Sequence, residues 1–163
     1  MRIGVVADTH SRDLPQQMLK EFKTVDLIVH AGDFCDMKVA NALKKIKPLE
    51  GVFGNMDDEK IRKVFPRRKI LKLGDARIGL FHGEGAPQKV LESVQKEFKQ
   101  EDVQAVIFGH SHEPFNEKKD NVLYFNPGSP NDSVFAPYLS FGILDLNKDG
   151  IKSRIIKIED SNG

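Results

Sequence analysis

Residues 107–115, IFGHSHEPF, place His110 and His112 either side of a single serine. Imidazoles this close together are candidate ligands for a divalent cation. On a helix, side chains at i and i+2 point about 200° apart and share no site. On an extended segment they point to the same side, about 6.5–7 Å apart. An extended His-x-His can therefore face one cavity, and so can Asp8 and His10 in ADTH. Two such histidines reach one ion if the backbone curls. They sit more easily on two adjacent ions, which in two-metal sites lie about 3.5–4 Å apart. A carboxylate between the ions would complete the site, and Asp33 is the natural bridge.

These candidates share a position in the sequence pattern. The apolar runs VVAD, IVHAGD, GVFGN, IGLFH and VIFGH end at Asp8, Asp33, Asn55, His82 and His110. Sites in open α/β sheets form outside the carboxyl ends of the strands, so neighbouring strands would bring these groups together. Taken singly, each has an ordinary explanation. An Asp after a strand commonly caps a helix, and Gly-Asn commonly makes a turn. Five metal-capable side chains, all at strand ends, are not explained in that way.

The elements that must position them follow from periodicity. RIGVVAD and LIVHAGD are short, β-branched runs of the kind buried on both faces of a sheet. Between them, Leu14–Lys23 carries Met18, Leu19 and Phe22 at helical spacing. Asp36 can cap a second helix with Val39, Ala42, Leu43 and Ile46 on its stripe, closed by Pro48. LEGVFGN is a third strand, and the β-α-β-α-β order argues for a parallel sheet with helices on its face. Beyond it, KILKL-GDA-RIGLF is a hairpin, Pro87–Lys99 is a helix with Val90, Val94 and Phe98 on one stripe, and QAVIFG is another buried strand. The remaining chain has the pattern of antiparallel strands joined by polar turns. One compact arrangement is two sheets packed face to face with helices outside. SPNDSVFAP is expected to be the most mobile loop, and the final SNG to fray.

Composition narrows the function classes. The chain has 163 residues, 39% of them hydrophobic, which fits one compact domain over residues 1–163. A balance of 25 Lys+Arg against 24 Asp+Glu gives no general reason to expect a nucleic-acid or membrane-surface partner. The short basic clusters, such as Arg67-Arg68-Lys69, are expected to be solvated surface. The one cysteine, Cys35, excludes an internal disulfide and suits a reducing compartment. No apolar run approaches the length of a membrane span or signal peptide, so a cytoplasmic location is expected.

The ordered motifs DTH, GD, GNMD, HG, GHSH and NPGS, from Asp8 to Ser129, resemble those of calcineurin-like metallophosphoesterases, most of all the small phosphodiesterases of bacteria and archaea. The resemblance implies a four-layer α/β/β/α sandwich and a dinuclear centre. It implies Asp8, His10 and His112 on the first metal, Asp33 as bridge, and Asn55, His82 and His110 on the second. Asp33, Asn55, Asp57 and His82 are the implied catalytic residues, with Asn126 of NPGS supporting the site from behind. The implied reaction is attack of a metal-bridging hydroxide on a small phosphate diester, with no protein nucleophile. Mixed oxygen and imidazole ligands suit Mn²⁺, the expected ion, and also Ni²⁺, Fe²⁺, Zn²⁺ or Mg²⁺. Cys35 is expected to be a small buried hydrophobe.

Two positions depart from the family pattern. Many members carry a histidine directly after Gly-Asn, thought to protonate or steer the leaving group, where this chain has Met56. The following carboxylate, Asp57, is kept, to orient a ligand or to meet substrate. Many relatives also have a histidine where Glu84 stands in HGEG; here it either narrows substrate choice or caps the next helix. Competing functions are a non-catalytic scaffold, as in the retromer subunit of this fold, and a nuclease. The complete ligand set argues against the first. The absence of Trp, with only Tyr124 and Tyr138 and no basic stripe, argues against the second. A small phosphate ester is the expected partner. Edge strands and exposed residues such as Phe135 offer a route to a homo-oligomer.

Overall fold

The computed structural model describes residues 1–159, so the fraying expected of Ser161–Gly163 lies outside the described residues. The first sheet receives β1 (Arg2–Val6), β2 (Leu27–His30) and β3 (Leu49–Gly51). The second receives β4 (Arg68–Leu73), β5 (Ala76–Phe81), β6 (Ala105–Ile107), β7 (Phe115–Lys119) and β8 (Val122–Asn126). β9 (Ser140–Asn147) and β10 (Gly150–Lys157) then return to the first. The strand orders are β10-β9-β1-β2-β3 and β4-β5-β6-β8-β7. β1, β2 and β3 run parallel, as do β5, β6 and β8, while the outer strands pair antiparallel. Helices α1 (Gln16–Phe22), α2 (Met37–Lys44) and α3 (Glu59–Val64) accompany the first sheet, and α4 (Val90–Glu97) follows a 3-10 turn at Pro87–Lys89.

Alternation along the strands builds the layers. Ile3, Val5 and Ala7 of the β1 segment join Leu27, Val29 and Ala31 of the β2 segment in a core between the sheets, packed on Ile78, Leu80, Ala105, Ile107 and Phe125. The opposite face, with Val6 and Ile28, packs on Met18 and Phe22 of α1, Val39 and Leu43 of α2, and Ile61 of α3. On the outside of the second sheet, Phe81, Val106 and Tyr124 meet Val90 and Val94 of α4. The result is the expected four-layer sandwich of two mixed sheets flanked by helices. Both faces of β1 and β2 are covered, which is why their sequences are continuously apolar.

Local differences from the sequence expectation have simple causes. Asp36 does cap α2, accepting from Lys38 N–H at 2.9 Å. Ala42 is exposed, however, and Ala40 is buried beside Val39 and Leu43 in its place. α3 has no counterpart in the expectation. It has six residues and buries only Ile61, too short for a period to show, although Asp58 caps it at Ile61 N–H. The tail is antiparallel as β7–β8 and β9–β10, but β8 also lies parallel beside β6 and β9 inserts beside β1. Among the described residues no helix is long and apolar enough to cross a membrane.

Candidate metal centre

The carboxyl ends of the parallel strands in both sheets meet at one edge of the sandwich. β1, β2 and β3 lead into Asp8, Asp33 and Asn55; β5 and β6 lead into His82 and His110. Two hydrogen bonds join the sheets there. His110 N–H donates to Asp8 Oδ2 at 3.0 Å, and His82 Nδ1–H donates to the Ala31 carbonyl at 2.8 Å.

The backbone at these positions is not extended. Asp8, His10, Asp33, His110 and His112 all have positive φ, between 47° and 70°. β6 stops at Ile107, and Ser111 N–H turns back to the Gly109 carbonyl at 2.9 Å. The same-side reading of His-x-His on an extended strand is thereby corrected: tight left-handed turns aim these rings. Such conformations cost roughly 1–3 kcal/mol each and persist where surrounding structure over-determines them. Asp and His tolerate them better than most residues, Cβ-branched ones least. Two glycines make room. A Cβ on Gly54 would overlap Asp33 Oδ1, and one on Gly109 would lie 2.9 Å from Asp8 Oδ2.

The side chains form two adjoining groups. Asp8, His10 and His112 offer ligand atoms within 4.8 Å of one another, and so do Asp8, Asp33 and His82. His10 Nε2 and His112 Nε2 are 3.1 Å apart. Asp33 Oδ2 lies 3.8 Å from His10 Nε2 and 3.4 Å from His82 Nε2, between the two groups. Asn55 Oδ1 is 3.1 Å from His82 Nε2 and 3.0 Å from His110 Nδ1. All seven residues singled out as ligands are thus brought together. Asp8 departs from its expected place in one group only, because its Oδ1 faces His10, His82 and His112 at 3.8, 3.8 and 3.5 Å.

These residues fit a cation. Asp8 Oδ1 is buried and has no hydrogen-bond partner, a costly condition for a carboxylate oxygen. The rings turn acceptors toward it. His82 commits Nδ1–H to Ala31 O, and His110 commits Nε2–H to Gly85 O at 2.8 Å. The remaining lone pairs, on His82 Nε2 and His110 Nδ1, converge on the Asn55 oxygen, an acceptor too. Positive charge is what such a cluster lacks.

Without a cation, protons supply that charge. Burial acts to lower the pKa of His82, but its contact with Asp33 and the charges of Asp8 and Asp33 prevail and raise it to about 9. Burial likewise opposes the charge of His112, yet Asp8 and then Asp132 raise it to about 9. Asp33 is buried, but His82, the Met56 N–H and His10 hold its carboxyl below the usual range. Burial, then Asp33, Asp57, Asp36 and Asp8, push the Cys35 thiol up to about 12. Cys35 is half-buried, with Sγ 3.5 Å from His10 Nδ1; it stays protonated and offers no thiolate.

Asp57, grouped from the sequence with the catalytic residues, is found in a supporting place. Its Oδ2 accepts from Asp33 N–H (2.9 Å) and Gly54 N–H (2.7 Å), and its Oδ1 from Cys35 N–H (2.6 Å). Both oxygens are committed to backbone, tying the loop after β2 to the loop after β3. Asp57→Ala would orphan three N–H groups at roughly 1–3 kcal/mol each before relaxation. Chemical denaturation of that variant is therefore expected to show a loss of several kcal/mol, more than a typical surface change of about 0.5 kcal/mol. Asn126 also supports the site, donating to Gly109 O and Ser111 Oγ at 3.0 Å each. Glu84 does not cap the following helix, whose leading residues make no side-chain cap. It is exposed and lies 3.8 Å from Arg67 Nη2. Arg67, Arg68 and Lys69 are not merely solvated either, pairing with Glu97, Glu101 and Glu50.

Two residues near the site carry no expectation from the sequence. His30, fully buried and stacked on Phe34 at 3.5 Å, accepts from Gly32 N–H and meets Thr9 Oγ1 at 3.0 Å. Burial, reinforced by His82, lowers its pKa well below the ordinary value, so it stays neutral. Its signal was the histidine inside the apolar run LIVH. Asp132 lies in the segment expected to be most mobile, yet it is buried and hydrogen-bonded to His112 Nδ1. Nothing in SPNDSVFAP distinguishes it from a turn aspartate.

Oxygen donors mixed with imidazoles around two adjoining groups are the equipment of a divalent-metal protein. Residues 1–149 match the calcineurin-like phosphoesterase superfamily domain, and the chain belongs to that family. It is 35% identical to a probable metallophosphoesterase of Methanocaldococcus jannaschii, over 98% of this chain and 83% of the relative. A phosphodiesterase of the same organism is 28% identical over 96% of this chain and 100% of its own length. Among solved structures, an archaeal phosphodiesterase superposes with TM-score 0.74 at 24% identity, covering 96% of this chain and 100% of that one. Vps29 of Entamoeba histolytica, complexed with Zn²⁺, does so with TM-score 0.74 at 22% identity, covering 96% and 99%. At these identities the two structures bear on the fold alone.

Proposed function

We propose that this protein is a divalent-metal-dependent phosphodiesterase acting on small phosphate diesters at a dinuclear centre. The observation that carries the reading is Asp8 Oδ1, a buried and unpartnered carboxylate oxygen faced by three histidine rings. Asp8, His10 and His112 would hold one cation, and Asn55, His82 and His110 the other, with Asp33 between them. Mn²⁺ is the proposed ion, and Ni²⁺, Fe²⁺, Zn²⁺ and Mg²⁺ are compatible with the donors. When bound, the cations neutralise phosphoryl oxygens and lower the pKa of water.

The chain's own contribution is positioning. Ala31 O and Gly85 O fix which nitrogen of His82 and His110 faces inward. Asp57 holds the turn that carries Asp33. No side chain need act as nucleophile where the cations supply an activated water, and the Cys35 thiol is not required as one. A scaffold role is the alternative, suggested by the shared fold with Vps29. Fold does not decide function, and the intact donor set favours the enzyme. A cytoplasmic location and a small phosphate-ester partner complete the proposal.

Met56 sharpens the substrate expectation. It is 58% exposed and cannot donate a proton to a departing alkoxide. General acid catalysis contributes about 10²–10⁴-fold where leaving groups need it. Nitrophenyl diesters are therefore expected to be hydrolysed at least about a hundredfold faster than alkyl diesters. The test is a panel of phosphate mono- and diesters with Mn²⁺, Ni²⁺ and Mg²⁺ supplied separately. Equal aryl and alkyl rates would remove the leaving-group argument; no turnover with any ion would favour the scaffold.

A further inference from the structure

We propose that Asp132 is a positioning residue that orients His112 for cation binding through its Nδ1–H, linking the loop at residues 129–137 to the metal centre. This inference rests on the reading of His112 as a metal ligand.

The two oxygens of Asp132 have separate tasks. Oδ1 accepts from the N–H groups of Val134 (2.9 Å) and Phe135 (3.2 Å), which shapes the loop. That bonding would suffice for an ordinary turn aspartate. Oδ2 is instead hydrogen-bonded to His112 Nδ1. The carboxylate is 5% exposed, so the bond is shielded from solvent. A carboxylate accepts only, so in a neutral His112 the proton sits on Nδ1 and the Nε2 lone pair is free. That nitrogen is the one that faces Asp8 Oδ1 at 3.5 Å and His10 Nε2 at 3.1 Å.

The loop is anchored to the other side of the same centre. Asp132 N–H donates to Ser129 Oγ at 3.1 Å, and that hydroxyl donates to the Asp8 carbonyl at 2.8 Å. Arg12 Nη1 donates to the Asn131 carbonyl at 2.8 Å. The aspartate is thus fixed relative to the Asp8–His10 turn before it meets the histidine. A carboxylate behind a ligating histidine fixes ring and tautomer and makes the imidazole a better donor.

Asp132→Asn isolates this role. Asparagine keeps an oxygen for the Val134 and Phe135 N–H groups and loses the charge facing His112. Titration calorimetry with Mn²⁺ and with Zn²⁺ should show affinity for one cation reduced about 10- to 100-fold, while the metal-free protein stays folded with only a modest fall in melting temperature. In a His112→Ala background the same substitution should change affinity less than twofold, because its route of action is gone. ¹⁵N-edited NMR of the Zn²⁺-loaded protein should place the His112 proton on Nδ1 in a strong hydrogen bond, and Asp132→Ala should abolish that signal. Unchanged affinity in Asp132→Asn, an equal loss in the His112→Ala background, or a His112 proton on Nε2 would each overturn the inference while leaving the metal reading intact. A wild-type protein that binds neither cation would overturn both.

Discussion

Replacing Asp33 is expected to remove essentially all metal-dependent turnover while leaving the fold in place. Its Oδ2 lies between His82 and His10, at 3.4 and 3.8 Å from their Nε2 atoms, and the residue is 2% exposed. Asp8 Oδ1 faces the same two nitrogens at 3.8 Å each, but Asp33 Oδ2 is the nearer to His82. Losing a partner behind a metal ligand typically costs about 10- to 100-fold in affinity or activity, so losing the ligand between two cations should cost more. Alanine would also add strain, because Asp33 has φ 60° and the left-handed region costs an L-residue about 1–2 kcal/mol. Asparagine tolerates that backbone better and can still accept the Met56 N–H, which Asp33 Oδ1 holds at 2.9 Å. Asp33→Asn is therefore the cleaner variant; it should stay folded, with the metal-free melting temperature near neutral pH lowered by several degrees through loss of the charged Asp33–His82 contact. Hydrolysis of a nitrophenyl diester should fall more than about 100-fold and the calorimetric stoichiometry from two cations toward one. Activity within tenfold of wild type would sink the dinuclear reading. Wild-type and variant proteins that are equally inactive, with any partner binding unaltered, would establish the scaffold instead.

The parts of this site legible in the sequence were those that repeat. β1, β2, β5 and β6 are short runs buried on both faces, and each leads into a side chain that can bind a metal. Hydrophobic pattern and chemistry therefore coincide at Asp8, Asp33, His82 and His110. The two-sheet packing followed from counting such runs together with the KILKL–RIGLF hairpin. The resemblance to metallophosphoesterases added the order and assignment of the ligands, which spacing alone left open between one ion and two.

The geometry that delivers the ligands was not legible in the same way. An i, i+2 rule presumes extended backbone, whereas His110 and His112 lie in a left-handed turn beyond the end of β6. Positive φ leaves no mark in a sequence when the residue is Asp or His rather than Gly. The contacts of the supporting residues were hidden for a different reason: their partners are remote. Asp57 meets Cys35 across 22 residues, and Asp132 meets His112 across 20. Either could be read locally as a turn residue. α3 escaped because one buried side chain makes no period. Glu84 shows the converse case: of its two readings, substrate choice or a helix cap, the cap is not made, and Arg67 lies 3.8 Å away instead.

The second large effect expected is a pH dependence that added metal opposes. His82 has its pKa raised from 6.5 to about 9, with Asp33 and Asp8 overcoming the opposing effect of burial. A raised histidine contributes stability that is fully present below about 6.5 and is lost as pH rises through about 9. The size is on the order of 3 kcal/mol for His82. The depressed carboxyl of Asp33 describes the same contact from its other partner and is not added again. His112 changes in the same direction but is partly exposed, so its share is smaller. His30 works in the opposite sense, but only as pH falls below 6.5, where its neutral burial becomes a cost. In chelator, the melting temperature should therefore drop by several degrees between pH 6.5 and 9, at about 2–4 °C per kcal/mol for a chain of this size. Cations need the same nitrogens deprotonated, so Mn²⁺ binding should strengthen over that range. Binding to the native state raises the melting temperature by mass action, and the rise produced by Mn²⁺ should be larger at pH 8.5 than at pH 6.5. Scanning calorimetry with and without Mn²⁺ measures both slopes. A metal-free melting temperature that is flat or rises from pH 6.5 to 9 would show that protons do not fill the site in the way the Asp33–His82 contact requires.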